Sequence, residues 1–576
     1  MNFFRKLRIV LLVSLLATTG CSKGAPKMEN AGAQQAAPSA ASSAEALSAA
    51  GKAQLESLLG KTRLEDLQWP DFSDYATQVR EFYAKDGYAL EWTREGKPTQ
   101  QALQLIGVLE QAETKGLESR DYDGERWPAR LQALIASANK DESALVHFDL
   151  ALTVSAMRYA SDLHLGKIDP RKLHKSFEPE RNEYDLADFL LKRIAPAADV
   201  SEAFTKIEPP YVGYRRTLEA LQKYLQMARE ENHVLLPTVS KPAAPGKPYA
   251  AVPQLIERLK FLGDLPAGTP AGGENGLYEG PVVQGVKHFQ MRHGLEAAGN
   301  LGAQTIDELN RPMSDRVKQL QLTLERWRWV PHNFEQSPIV VNIPEFVLRA
   351  FDDQWQVQLK MKVVVGRAMR TQTPVMEEDM KNVIFWPYWN VPTSIMRHEI
   401  VPKIAKDRAY LEKNGYEVTT YFGQVVTDGI VSDEVLAQLR AAKLMVRQKP
   451  GPKNALGLIK FMFPNDNNVY LHATPTQSLF SQSRRDFSHG CIRVEKPAEL
   501  AEWVLRNTPG WTRERIDAAL ASEKQQQVNL PKMIPVMIVY ATAVVSEDGT
   551  VNFFSDIYGF DKSLDQLCCT VYSSHR

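Results

Sequence analysis

Ser488-His489-Gly490-Cys491, and His472 nineteen residues before the cysteine in Tyr470-Leu471-His472, are the residues of this chain whose types and spacing can do chemistry. A thiol attacks only as thiolate, and a free cysteine with a pKa near ~8.5 is mostly protonated at neutral pH. It needs a base or a cationic neighbour, and imidazole is the usual one. Arg493, two residues past the cysteine, adds a fixed positive charge on the same face if this stretch is a strand. Gly490 permits a tight backbone whose amides can point at a developing oxyanion. These residues predict acyl transfer through a thiol. Residue type alone leaves two other readings open. A lone cysteine can be a small buried hydrophobe. A His-x-Cys pair with a further histidine can ligate zinc, although no Cys-x-x-Cys or His-x-x-x-His partner lies near.

Tyr-x-His, fifteen intervening residues and then Ser-His-Gly-Cys-Ile-Arg resembles the signature of the L,D-transpeptidase catalytic domain, whose cysteine enzymes remodel bacterial peptidoglycan. The resemblance implies that Cys491 attacks the carbonyl of the third residue of a tetrapeptide stem, expels the terminal D-alanine and holds a thioester. It implies that His472 activates the thiol and later takes the proton of the incoming amine, oriented by the backbone carbonyl of Ala473. The segment from Ser488 to Cys491, with the Gly490 backbone, supplies the oxyanion amides. Arg493 anchors the loop or a substrate carboxylate. Ser488, His489, Tyr470, Trp386 and Asn390 fall to substrate binding, with loop structure as the competing role for His489 and core packing for the aromatics. No cofactor and no metal is implied. The acceptor stays open between another stem peptide, a free D-amino acid and the lysine of an envelope lipoprotein. An L,D-carboxypeptidase, in which water resolves the thioester, and an inert cell-wall-binding scaffold are the alternatives.

The elements that position these residues predict a multidomain α+β chain, since 576 residues exceed what one hydrophobic core organises. From Asp315 the pattern turns β-rich: Ile339, Val341 and Ile343 alternate, and after Asp352-Asp353 so do Val357, Leu359, Met361 and Val363. Met537 to Val545 and Val551 to Phe553 flank Glu547-Asp548-Gly549 as a second hairpin. The resemblance makes 316–560 a mainly-β, curved β-sandwich catalytic domain, with 561–576 a C-terminal tail. Further matching stretches are Thr373-Pro374, Trp386 to Pro392 and Asn454 to Gly457 leading to Lys460-Phe461. Between them, 396–450 reads as a less strand-like insert with helical runs such as Glu434 to Met445, expected to cap the active site.

Upstream, residues 57–240 carry helical periodicity (Tyr75, Val79, Phe82; Leu103, Ile106, Leu109), and Arg158 to Pro170 resembles the helical scaffold domain of the larger L,D-transpeptidases. Lys241 to Pro248, rich in proline, marks a boundary. Residues 250–311 resemble a small three-helix peptidoglycan-binding domain through Leu255, Leu259, Val282, Val286, Phe289, Gly299 and Leu309-Asn310.

Arg5, Lys6 and Arg8 precede a short apolar run, the layout of a secretory signal over 1–20. Gly20-Cys21-Ser22 resembles a lipoprotein cleavage site, which predicts lipidation at Cys21 and a lipid-anchored protein of the envelope, in the periplasm at the outer membrane. Residues 21–56, rich in Ala, Ser and Gln, read as a disordered tether, with an Ala-rich helix over 44–59 as the competing reading of its second half. Lys plus Arg and Asp plus Glu both total 69, so no basic field invites nucleic acid. The partners expected are stem peptides and glycan, the membrane through its anchor, and other cell-wall synthases. Four cysteines are too few for a disulfide framework, and the adjacent Cys568 and Cys569 find no role.

Overall fold

The computed structural model describes residues 45–572 apart from 137–140, 180–183, 233 and 271–275. The expected signal segment, Cys21 and most of the expected tether lie outside the described residues.

The first helix, α1 (Ala49–Lys61), starts where the Ser48 hydroxyl accepts the Gly51 amide, and it buries Leu55 and Leu59 one turn apart. The tether reading to residue 56 therefore runs too far: two leucines at helical spacing tie 49–61 to the helical region. At its centre, α2 (Glu142–Leu165) is buried almost all round, so its polar residues need internal partners. Asp149 accepts the Tyr83 hydroxyl at 2.8 Å and the Trp92 amide at 2.7 Å, and Arg158 donates to the Trp69 carbonyl at 3.0 Å. Asp162 accepts the hydroxyls of Tyr122 at 2.7 Å and Tyr572 at 2.8 Å.

After α3 (Val212–Glu230) come three short helices, α4 (Val252–Leu262), α5 (Pro281–Arg292) and α6 (Ala303–Leu309), closing over Leu255, Leu259, Val286, Phe289 and Leu309. Helix α7 (Met313–Arg328) packs along α3, and its Glu325 accepts the Ile168 amide at 2.8 Å. Much of this helix falls within 316–560, yet it is packed as part of the helical body.

The β region is one nine-stranded sheet. Its strands are β1 (Ile339–Asn342), β2 (Val347–Phe351), β3 (Val357–Gly366), β4 (Met376–Phe385), β5 (Ile459–Met462), β6 (Leu471–His472), β7 (Asp486–Ser488), β8 (Ile492–Val494) and β9 (Gln526–Val539). They run in the order β7-β3-β8-β6-β5-β4-β9-β1-β2, and β2 pairs back onto β3. That last pairing closes the circuit, so the two curved layers are one continuous sheet around Val341, Val363, Val383, Phe461 and Val536.

The segment after β4 makes its own small body. Strands Val425–Thr427, Tyr416–Thr419, Met445–Gln448 and Trp389–Asn390 pair in that order, and with helix Asp433–Arg440 they enclose Met396, Ile404, Val418, Leu436 and Val446. The insert is thus richer in strand than its sequence suggests, and the helical run ends at Arg440, with Met445 already in a strand. The expected tail is likewise structured: α8 (Phe560–Thr570) buries Leu564, and its Asp561 pairs with Arg326 of α7 at 2.5 Å. Among the described residues, no helix is long and apolar enough to cross a membrane.

Candidate active site

Three strands bring the chemistry to one face. β5 pairs with β6 so that Lys460 lies opposite His472, and β6 runs parallel to β8 so that His472 lies beside Arg493. Paired residues project from the same face, as do residues two apart in a strand. Lys460, His472 and Arg493 therefore form a row, and Tyr470 and Cys491, each two residues earlier, form a second row beneath it. The Ile492 amide donates to the Tyr470 carbonyl at 3.1 Å, which fixes the second row.

Cys491 is half-buried, and its Sγ donates to the Asn468 carbonyl at 3.6 Å. Burial pushes the thiol above its ordinary pKa, against the amide and phenol of Tyr470 and the charges of Lys460 and Arg493. His472 is buried, with Nδ1 at 2.6 Å from the Ala473 carbonyl. A carbonyl only accepts, so Nδ1 carries the proton and Nε2 is left as the basic nitrogen. Burial, then Arg493 and Lys460, draw the imidazole down to about 3, opposed by the carbonyls of Ala473 and Leu456. The resting pair is a neutral thiol and a neutral imidazole. Tyr470 lies edge-on to His472 at 5.7 Å, under the Lys460 ammonium at 3.8 Å.

The loop before Cys491 is held from within. Ser488 is buried; its hydroxyl donates to the Cys491 carbonyl at 2.6 Å and accepts the Gly490 amide at 3.1 Å. Thr373 and Thr371 clamp the loop from the next segment, donating to the Gly490 carbonyl at 2.7 Å and the Ser488 carbonyl at 2.9 Å. Gly490 has φ +115°, a backbone only glycine adopts freely. Two expectations change here. Ser488 builds the loop and is closed off from any groove, and the Gly490 amide is already engaged. Among the described residues neither the His489 amide nor the Cys491 amide has a hydrogen-bond partner, which leaves both as free donors of the loop.

Other assignments move as well. Trp386 is core: its indole donates to the Leu520 carbonyl at 2.9 Å, from a backbone with φ +49°. Trp389, three residues on, leads into the insert, with its ring 6.4 Å from Tyr416. Asn390 is exposed and pairs through its backbone with Arg447 of the insert sheet. His489 Nε2 meets Glu399 of the insert at 2.6 Å, so this histidine joins the nucleophile loop to the insert. Arg493 sits where the strand register requires, with no hydrogen bond to any described residue and its Nε sealed from solvent. Lys460, Asn468, Thr371 and Trp389 have places at this face that no motif of the sequence announced. Lys460 lies in a matching stretch, but only the β5–β6 register reveals its place beside His472. Among the described residues, no group of three or more His, Cys, Asp or Glu is arranged to hold a metal ion.

Comparison with known families gives this face a context. Residues 337–512 match the L,D-transpeptidase catalytic domain. Residues 77–221 match the model described as a scaffold domain, and 249–309 that described as "Putative peptidoglycan binding domain". A Haemophilus influenzae protein named "Putative L,D-transpeptidase" is 34% identical over 278 residues, 47% of this chain and 55% of that protein. The chain thus spans about half the length of the curated relative it matches. Within the L,D-transpeptidase domain lie all the residues of both rows and the whole insert. The match to the scaffold domain begins after α1 and ends inside α3, so α7 and α8 extend the helical body beyond it.

Proposed function

We propose that this chain is an L,D-transpeptidase that acts on peptidoglycan stem peptides through Cys491. The observation that carries the reading is the double row: a thiol and a carbonyl-oriented neutral imidazole share one face of the L,D-transpeptidase domain. On attack the thiol proton passes to His472 Nε2 while sulfur bonds to the carbonyl carbon of the third stem residue. The developing oxyanion is met by the Cys491 amide. Collapse breaks the amide bond, and the His472 proton leaves on the amine of D-alanine. An acceptor amine then gives its proton to His472 as it attacks the thioester, and the thiol is restored; the product is a 3-3 cross-link. The match of the three-helix domain supports a role at the glycan in the cell envelope, and the Gly20-Cys21-Ser22 sequence supports an anchor through a lipidated Cys21.

The test is a purified-protein assay with a disaccharide-tetrapeptide, followed by mass spectrometry. Cross-linked dimer, free D-alanine and a carbapenem adduct on the Cys491 peptide are expected, all absent in Cys491→Ala. Tripeptide alone would make the protein an L,D-carboxypeptidase, and an adduct on a serine peptide would end the thiol mechanism. Cys21→Ser should release the protein from detergent-extracted membranes, and a wild-type N-terminal peptide without acyl chains would remove the anchor.

A further inference from the structure

Where β2 turns into β3, an open cavity of about 550 Å³ is walled by four aromatic rings, Phe334, Phe351, Trp355 and Trp503. Its size is that of a small-ligand site, and none of its residues belongs to the two rows around Cys491. Phe351 and Trp355 come from the β2–β3 hairpin, Phe334 from the segment before β1, and Trp503 from helix Pro497–Leu505. All four rings are partly exposed. The hairpin is built to hold Trp355 in place. The Trp355 backbone has φ +60°, an outlier for so bulky a residue. Asp352 secures the turn, accepting the backbone amides of Gln354 and Gln356 at 2.9 Å and the side-chain amide of Gln358 at 2.7 Å. Tyr211 at 4.6 Å and Phe334 at 5.5 Å, both edge-on, fix the plane of the ring.

The same lining supplies groups that bond hydroxyls and amides. Asp353 engages the Ser337 hydroxyl at 2.5 Å through one oxygen only. Arg506 lies over the Trp503 ring at 3.7 Å and donates to the Trp503 carbonyl at 2.8 Å. The Asn507 side chain and the indole N–H groups of Trp355 and Trp503 have no hydrogen-bond partner among the described residues. Glu335, Asp352 and Asp353 outnumber Arg506, so the lining repels a polyanion and favours a neutral ligand. Flat rings interleaved with carboxylate, amide and N–H groups match an N-acetylated sugar. Its C–H faces lie on the rings, and its hydroxyls and amide meet the polar groups.

The strand register says which part of a peptidoglycan could reach it. β8 runs antiparallel to β3 with Arg493 opposite Val364, so Cys491 lies towards Gly366 and away from Val357. From Val357 to Val364 the strand alone spans about 23 Å. A stem whose third residue sits at the thiol reaches only about 10–11 Å back to its sugar. The cavity is therefore beyond the stem and within reach of the polymer that carries it. We propose that this cavity is a glycan-binding site of the catalytic domain, which takes N-acetylated sugars of the strand whose stem is being processed. The proposal rests on the peptidoglycan reading above and adds a hold on the polymer apart from both the catalytic face and the three-helix domain.

The probe is chitotetraose, a neutral N-acetylglucosamine oligomer without stems, added to the full-length Cys491→Ala protein and read by hydroxyl-radical footprinting with mass spectrometry. Peptides carrying Trp355 and Trp503 should be protected saturably at millimolar probe, and cellotetraose, which lacks the N-acetyl groups, should protect them less. Asn507→Ala, at an exposed position, should raise the half-protection concentration about three- to tenfold, the scale of one hydrogen bond. Trp503→Ala should abolish protection of the Trp355 peptide. In protein with Cys491 intact, Trp503→Ala should raise KM severalfold for glycan strands of several disaccharides and leave a single disaccharide-tetrapeptide and carbapenem acylation unchanged, which also reports an intact fold. Absence of protection in both tryptophan peptides, protection unchanged in both variants, or an equal rise of KM on the two substrates would overturn the site. If wild type turns over neither substrate, the transpeptidase reading fails and the footprint alone decides the site.

Discussion

At Cys491 and His472, burial acts on two groups in opposite senses and with one result. It raises the thiol and lowers the imidazole, so both are neutral at rest, and Lys460 and Arg493 oppose the rise of the thiol while adding to the fall of the imidazole. The proton therefore moves when the carbonyl arrives, and solvent meets little standing thiolate. The pH dependence follows. An ordinary imidazole near 6.5 would lose its basic nitrogen as the pH fell through that value, whereas one held at about 3 keeps it. Acylation by donor or carbapenem should stay level from neutral pH down to about 5 and fall only towards about 3; a sigmoid centred near 6.5 would refute this. Alkylation of the free enzyme by iodoacetamide should be slow at neutral pH and climb only at alkaline pH, because the thiol is raised. His472→Ala should lower acylation at neutral pH by about 10²- to 10⁴-fold. At this scale the sequence was legible where neighbours in space are neighbours in the chain, as with Cys491 and Arg493. It was silent on Asn468 and Trp389, whose places depend on pairings far apart in sequence.

Among the elements, the insert and the nucleophile loop are joined by His489 and Glu399, and the insert sheet is rooted on Trp389–Asn390 at the end of the stretch that follows β4. A thioester awaiting an amine must be kept from water, and a body fastened at these two points is placed to do that. Glu399→Gln weakens one partly exposed hydrogen bond to His489, so it should shift the ratio of dimer to hydrolysed tripeptide by a few-fold at most. Deleting 396–450 should shift it far more than it slows carbapenem acylation; an unchanged ratio would leave the insert without this role. Trp386→Ala should cost about 3–5 kcal/mol of stability in thermal or denaturant unfolding, because its indole is core and no longer belongs to the substrate groove. The strands missed by sequence have physical reasons. β9 contains Pro531 and Pro535, which argue against a strand; Pro531 falls where the register shifts between Asn529 and Ile534, and Pro535 comes just before Val536, the first residue paired with β1. The insert strands are three or four residues long, too short for alternation to show.

For the whole molecule, the helical body, the three-helix domain and the closed sheet are held together by specific contacts. Glu231 accepts from Arg258 of the three-helix domain and from the Met313 amide, both near 3 Å. Asn467, next to the residue that accepts the thiol, donates to Ser176 of the helical body at 2.9 Å. Period and composition announced each domain, because helices and hairpins write local patterns. What they hid is the helix over 560–570, expected as tail, whose value lies in partners hundreds of residues away. Tyr572→Phe, which strips the donor from Asp162, should cost about 1–3 kcal/mol in denaturant unfolding, more than a surface substitution.

The Tyr572–Asp162 contact spans 410 residues. Synthesis delivers the chain from its N-terminal side, so the helical body must wait with Asp162 half-satisfied while the three-helix domain, the sheet and the insert appear. Closing so distant a contact is slow, and the body reaches its final stability only after the catalytic sheet has followed it. Maturation of the protein is thereby ordered in time: a chain stalled before residue 560 can build its three-helix domain and lay down Cys491, yet its α2 core stays open to proteases.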